Sequence, residues 1–151
     1  MGAEARVKEL GITLPQPATP VANYIPAVRV GNLLFVSGHG PFREGKVYRG
    51  KLGREVTLED GYQCARQVGI MLLASVKTAL GSLDRVKRVV KVLGMVASAE
   101  GFNDQPKVIN GFSDLMVEIF GENGRHARSA VGMAELPHRI PVEIEMVLEV
   151  E

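Results

Sequence analysis

The sequence holds one cysteine, three histidines and few aromatic residues, and each shortage closes off a class of function. A lone Cys64 cannot form an internal disulfide, which points to a reducing compartment, the cytosol. His39, His126 and His138 are scattered along the chain, and with a single cysteine they offer no zinc-ligand spacing. A net charge of +1 gives no electrostatic footprint for nucleic acid or an anionic membrane. Arg85, Lys87, Arg88 and Lys91 cluster, but with aromatics at 5% they read as a solvated edge rather than a base-stacking surface. No basic-then-apolar leader opens the sequence, and no apolar run approaches the roughly 18 to 20 residues of a membrane span. Ser37, in the glycine setting Ser37-Gly38-His39-Gly40, lacks the nucleophile-elbow pattern of serine hydrolases.

What is present reads as one domain. Apolar residues make up 46% of 151, a chain long enough to bury about two-thirds of its unfolded surface. Residues 1–21 read as an N-terminal arm, polar at first and then extended where Pro15, Pro17 and Pro20 forbid a helix. Residues 22–151 form the domain. Ala27–Val30 and Leu33–Ser37 make a hairpin turned by Gly31-Asn32. Phe42–Val56 is charged and glycine-rich and reads as a mobile loop with a short hairpin around Glu44-Gly45. A helix starts at Thr57, whose spacing to Asp60 resembles a capping box, and stops at Gly81; Cys64 lies on its apolar stripe as a small core residue. Val86–Ala99 is a long strand, apolar on both faces beyond Lys91. A second helix runs from Asn103 or Asp104 to Gly121, with Val108, Ile109, Phe112, Leu115, Met116 and Ile119 buried.

The last segment, Ala127–Glu149, reads as an antiparallel hairpin around Leu136–Pro141. The order is then β-β-α-β-α-β-β, an α+β fold with one mixed sheet and two helices on one face. Two helices leave the other face bare, and a second copy of the chain is expected to cover it. In the last strand Val142, Ile144, Met146 and Leu148 alternate with Glu143 and Glu145. If Ser129, Val131 and Met133 share their core face, Arg128 and Glu143 point the same way across Ala130, Gly132 and Ala134. A fixed cation, a carboxylate and room between them suit a small anionic substrate. His39 and His126 are candidate proton donors near neutral pH, with a surface or seam position as the plainer reading.

Three stretches carry a resemblance. They are Asn23-Tyr24 with Val30–Gly38, then Ala127-Arg128-Ser129-x-Val131 with Glu135-Leu136-Pro137, and Val142–Glu145. Together they resemble the reactive intermediate deaminase (Rid, or YjgF) family over Ala22–Glu149. The resemblance implies a chorismate-mutase-like fold and a homotrimer with ligand sites between subunits. It implies hydrolysis of enamine and imine acids such as 2-aminoacrylate to 2-oxo acids and ammonia, with no metal or organic cofactor. In this reading Arg128 and Glu143 are the catalytic pair: Arg128 binds the substrate carboxylate and Glu143 positions the hydrolytic water. Tyr24, Ser37, Gly38 and His39 complete the substrate pocket. A guanidinium pairs bidentately with a carboxylate, and an iminium carbon needs only a well-placed water. The sequence departs from the family at His126, where proline is common, at Ala130, often cysteine, and at His39, often glutamine. Asn110 with Ser113 and Met116 stands for an asparagine-plus-aromatic pattern. The same Arg128 would serve a non-catalytic binder of small carboxylates. RNA cleavage, a further activity attached to the family, has the near-neutral charge against it.

Overall fold

Thr57 Oγ1 accepts a hydrogen bond from the Asp60 amide at 3.2 Å, and the longest helix starts there, with Glu59 and Asp60 facing the positive end of its dipole. In the computed structural model, which describes residues 1–17, 19–20 and 22–151, the elements are α1 (Ala3–Glu9), β1 (Ala27–Val30), β2 (Leu33–His39), α2 (Leu58–Leu80), β3 (Val86–Ala97), α3 (Gln105–Phe120), β4 (Ala127–Met133) and β5 (Val142–Val150). Ala18 and Val21, both in the expected arm, lie outside the described residues. The strands form one mixed sheet in the order β1-β2-β5-β3-β4, parallel only between β3 and β4. This is the α+β fold the element order predicts.

Alternation along β5 sends Val142, Ile144, Met146, Leu148 and Val150 into the core. There they meet Leu34 and Val36 of β2, Val92 and Val96 of β3, and the apolar stripes of α2 and α3. The two helices cross closely because both carry glycine: a Cβ at Gly111 would run into the Tyr62 carbonyl, and one at Gly69 would press on Leu115 and Phe112. Cys64 is fully buried in this layer, and burial pushes its thiol up to about 12. No helix among the described residues is long and apolar enough to cross a membrane.

Three features differ from the sequence reading. First, β4 and β5 are not a hairpin, because β3 lies between them. The linker after β4 straddles the end of β3: the Ser98 amide donates to Met133 and the Ala97 amide to Pro141. A strand apolar on both faces belongs in the sheet interior with a neighbour on each side, and β3 takes that place. Second, the arm begins as a helix. Ala3 and Val7 of α1 are buried, Arg6 Nε donates to the Glu118 carbonyl at 3.0 Å, and Glu4 accepts from the Leu83 amide and pairs with Lys77 at 2.8 Å. The Leu83 amide and Lys77 hold the Glu4 carboxyl below its usual range. Third, the 42–56 loop is braced. Tyr48, Leu52 and Val56 are buried, and Leu52 exchanges backbone hydrogen bonds with Ala97 and Ala99. Gly45 bends it at φ +75°, with no strand on either side.

The face of the sheet away from the helices is apolar and open. Val28 and Val30 of β1, Phe35 of β2 and Val131 of β4 are exposed, at 47%, 61%, 45% and 38%, too many for a face meant to meet water alone.

Candidate functional site

The bulge in β2 builds one half of the site. Val36 pairs with Met146 and His39 with Ile144, so three residues of β2 span what two span on β5. The extra residue turns Gly38 against the side chain of Glu143. A Cβ at Gly38 would stand 2.7 Å from Glu143 Oε2, so only glycine leaves the carboxylate in place. Glu143 is half-buried at the wall of a cavity of about 480 Å³ lined also by Tyr24, Pro26, Phe42, Met71, His138 and Ile140. Burial raises its carboxyl above the usual range, and Glu145 on the same strand adds to the shift.

Tyr24 lines this cavity with half its surface exposed. Ser37 does not line it. Its hydroxyl donates to the Ile25 carbonyl at 2.7 Å and its amide to Pro26 at 2.8 Å, so it fixes the segment that carries Tyr24. The backbone of His39 borders the cavity, but its ring lies on the helix side, 7% exposed. Nδ1 is 2.6 Å from the Ser37 carbonyl and Nε2 is 2.7 Å from Ser75 Oγ on α2. A neutral ring donating from Nδ1 and accepting at Nε2 satisfies both contacts. Burial lowers its pKa accordingly. His39 ties sheet to helix, and both ring nitrogens are already engaged.

Arg128 lies elsewhere. The β4–β3–β5 register sets it beside Val92 and Met146, both core-facing, whereas Glu143 is beside Met95 and Val131. Arg128 therefore points to the helix side of the edge strand, and Glu143 to the open side. Three residues along the strand and two strands across also separate their backbones by roughly 14 Å. This reverses the shared face expected from the sequence, and α3 is the reason. Ile109 lies over Gly94, and a Cβ at Gly132 would come within 2.9 Å of Gln105 Nε2. The strand face beneath this helix must be small, so Ala130 and Gly132 turn toward it, while Ser129, Val131 and Met133 turn to the open side. The small side chains make room for a helix, not for a ligand.

The second half of the site forms there. Arg128 Nη1 donates to Asn110 Oδ1 at 2.9 Å and to Ser113 Oγ at 3.1 Å. Ser113 Oγ lies 2.9 Å from His126 Nε2, and His126 Nδ1 lies 2.6 Å from the Gly124 carbonyl. With Nδ1 donating to Gly124, Nε2 accepts the serine proton, and the serine oxygen is left to accept from the guanidinium. The chain of bonds runs in one direction and orients Arg128, whose Nη2 and Nε enter no hydrogen bond among the described residues. Burial lowers the His126 pKa, and the Arg128 charge lowers it further, which keeps the ring in the neutral form this arrangement needs. The Phe112 ring meets it edge-on at 5.8 Å. The sequence signal for this cradle was a polar pair at i and i+3, Asn110 and Ser113, beside an apolar helical stripe.

Known proteins share this architecture. The family model described as "YjgF/chorismate_mutase-like, putative endoribonuclease" matches residues 4–141. Protein TCP17 of Trypanosoma cruzi is 44% identical over 147 residues, 96% of this chain and 92% of its own. A 2-iminobutanoate/2-iminopropanoate deaminase of Dermatophagoides farinae is 31% identical over 142 residues, 93% of this chain and 95% of its own. The crystal structure of Atu1372 from Agrobacterium tumefaciens, a protein of unknown function, superposes with a TM-score of 0.91 at 46% identity, covering 99% of this chain and 92% of that one. With a superposition and a sequence match that agree over most of its length, the chain belongs to the YjgF/chorismate-mutase-like family.

Proposed function

We propose that the protein hydrolyses enamine and imine acids of the 2-aminoacrylate kind to 2-oxo acids and ammonia, in a cleft completed between copies of the chain arranged as a homotrimer. The observation that carries this reading is the division of the site. A guanidinium held by Asn110 and Ser113 and a carboxylate held beside Gly38 face opposite sides of one sheet, and each is incomplete alone. The open apolar face gives a second copy a surface to cover, and in this reading the free edge strand β4 carries the Arg128 of one subunit to the Glu143 cavity of another. The relative named as an imine deaminase supports the reaction class.

The chemistry follows from the groups. Arg128 pairs with the substrate carboxylate through its remaining donors and fixes the plane of the conjugated C=N. Water adds to the imine carbon, the C=N electron pair moves to nitrogen, and Glu143 accepts the water proton. Its raised pKa makes it a stronger base than an ordinary glutamate. Glu143 returns that proton to the nitrogen and then carries the hydroxyl proton to it as well, the C–N bond breaks, and ammonia leaves as the remaining oxygen becomes the 2-oxo group.

Mixing variants tests this directly. Arg128→Ala and Glu143→Gln, each inactive on freshly generated 2-aminoacrylate, should regain part of the wild-type rate when co-expressed, because some clefts then hold one intact half from each. Sedimentation should give three times the chain mass. Wild-type activity in Arg128→Ala alone, or continued inactivity of the mixture, would overturn the reading.

A further inference from the structure

Two cations line the Glu143 cavity that the reaction above does not use, Arg43 and Arg49. Both sit on the 42–56 loop, and the loop is held on every side. Gln67 of α2 accepts from the Phe42 amide and donates to the Lys46 carbonyl, clamping the chain before and after Arg43. Arg49 lies between buried Tyr48 and Gly50, whose amide donates to the Arg139 carbonyl at 2.9 Å. Lys51 pairs with Glu135 at 2.8 Å. Among the described residues neither arginine enters an ion pair, and Arg49 engages only one Nη1, on the Tyr48 carbonyl. Elsewhere in the loop Lys46 pairs with Asp60 and Arg54 with Glu55, while Glu44, which does not line the cavity, enters no ion pair among the described residues. Against two guanidiniums the lining offers one carboxylate, Glu143, so the cavity is electropositive. At about 480 Å³ it is also of a size that takes ligands much larger than a three-carbon imino acid.

We infer that the substrate carries a second anionic group, received by Arg43 and Arg49 while its imine carbon lies at Glu143. The substrate class is then the imino dicarboxylic acids, whose hydrolysis gives 2-oxo dicarboxylic acids. Phe42, Met71 and Ile140 in the same cavity suit the methylenes between the two acidic ends. The inference rests on the deaminase reading for the reaction but not for the binding. Guanidinium–carboxylate pairing supplies the selectivity, and an acid lacking the distal group would leave both cations unanswered.

The test compares imino acids made in place by amino-acid oxidases from glutamate, aspartate, leucine and alanine, following ammonia release. Wild type should favour the acidic substrates, and Arg43→Gln with Arg49→Gln should lower kcat/KM for them by about 10- to 100-fold, chiefly through KM. The same variant should leave the neutral substrates within twofold. Equal rates on acidic and neutral imines in wild type, or equal losses on both in the variant, would overturn the inference while leaving the deaminase reading intact. Calorimetric titration with 2-oxoglutarate and 2-oxobutyrate separates the two ideas. If no imine is hydrolysed but 2-oxoglutarate binds tighter and loses that advantage in the variant, the anion subsite stands and the deaminase reading falls. Equal binding of the two acids by wild type would overturn the subsite itself.

Discussion

Gly38→Ala isolates the placement of one carboxylate. The new methyl carbon would stand 2.7 Å from Glu143 Oε2 and 3.2 Å from its Cδ, with no backbone atom in its way. An ordinary contact needs about 3.5 Å, so the carboxylate must retreat by about 1 Å or swing to another rotamer. The atoms that yield are the far end of a flexible side chain, so stability should change by less than about 1 kcal/mol. Catalysis is less forgiving: a shift of about 1 Å in a positioning group costs on the order of 100-fold. The expected result is a kcat on 2-aminoacrylate reduced about 10- to 100-fold with an unchanged melting temperature. Stopped-flow trapping of the imine beside differential scanning calorimetry measures both. An unchanged kcat would show that Glu143 does not act from the position that Gly38 grants it. A melting temperature lowered by many degrees would show that the bulge, not the carboxylate, is what the glycine protects.

Glu143→Gln should stabilise the fold at neutral pH. Burial raises the carboxyl pKa, so the charged form is disfavoured in the folded state above that pKa; the benefit of glutamine should shrink as the pH falls toward the unfolded value of about 4.3, as thermal melts from pH 7 to 4 would reveal. His39 and His126 work in the opposite direction. Both are lowered by burial, so their stability is present above an unfolded pKa of about 6.5 and is lost as the pH falls through their folded values. A His39→Gln, His126→Gln variant should flatten that acid limb, and an undiminished pH slope would refute the assignment. Gly111→Ala drives a methyl into the Tyr62 backbone carbonyl, which no rotamer change relieves; the cost should be about 1–3 kcal/mol or more, read as a lower urea midpoint.

Local signals were legible in the sequence, and non-local ones were not. The Thr57 cap, the glycine stops and the alternation of β5 depend on neighbours within a few residues, and each forms as its pattern predicts. The place of β4 depends on β3 and α3. Both of its faces mix small, polar and apolar residues, so period two alone could not say which face the helix would cover. A shift of one residue in that choice sends Arg128 to the other side of the sheet. The docking of α1 was hidden because only Ala3 and Val7, four residues apart, mark its buried side. His39 read as a pocket residue because it follows a glycine, and the bulge that turns its ring toward Ser75 leaves no trace in composition.

The third position in the sheet is held by the strand that comes last in the chain. Until β5 inserts, β2 and β3 each present an unpaired edge, and the pairing that closes them joins Leu34 to Leu148 and Val92 to Met146. The entropy of closing so long a loop must be met before those contacts return anything, which makes insertion of β5 the expected slow event in folding. Two open edges of alternating apolar residues are also templates for neighbouring chains. A substitution that delays β5, such as Ile144→Asp, should therefore give aggregates during refolding rather than a smaller soluble domain.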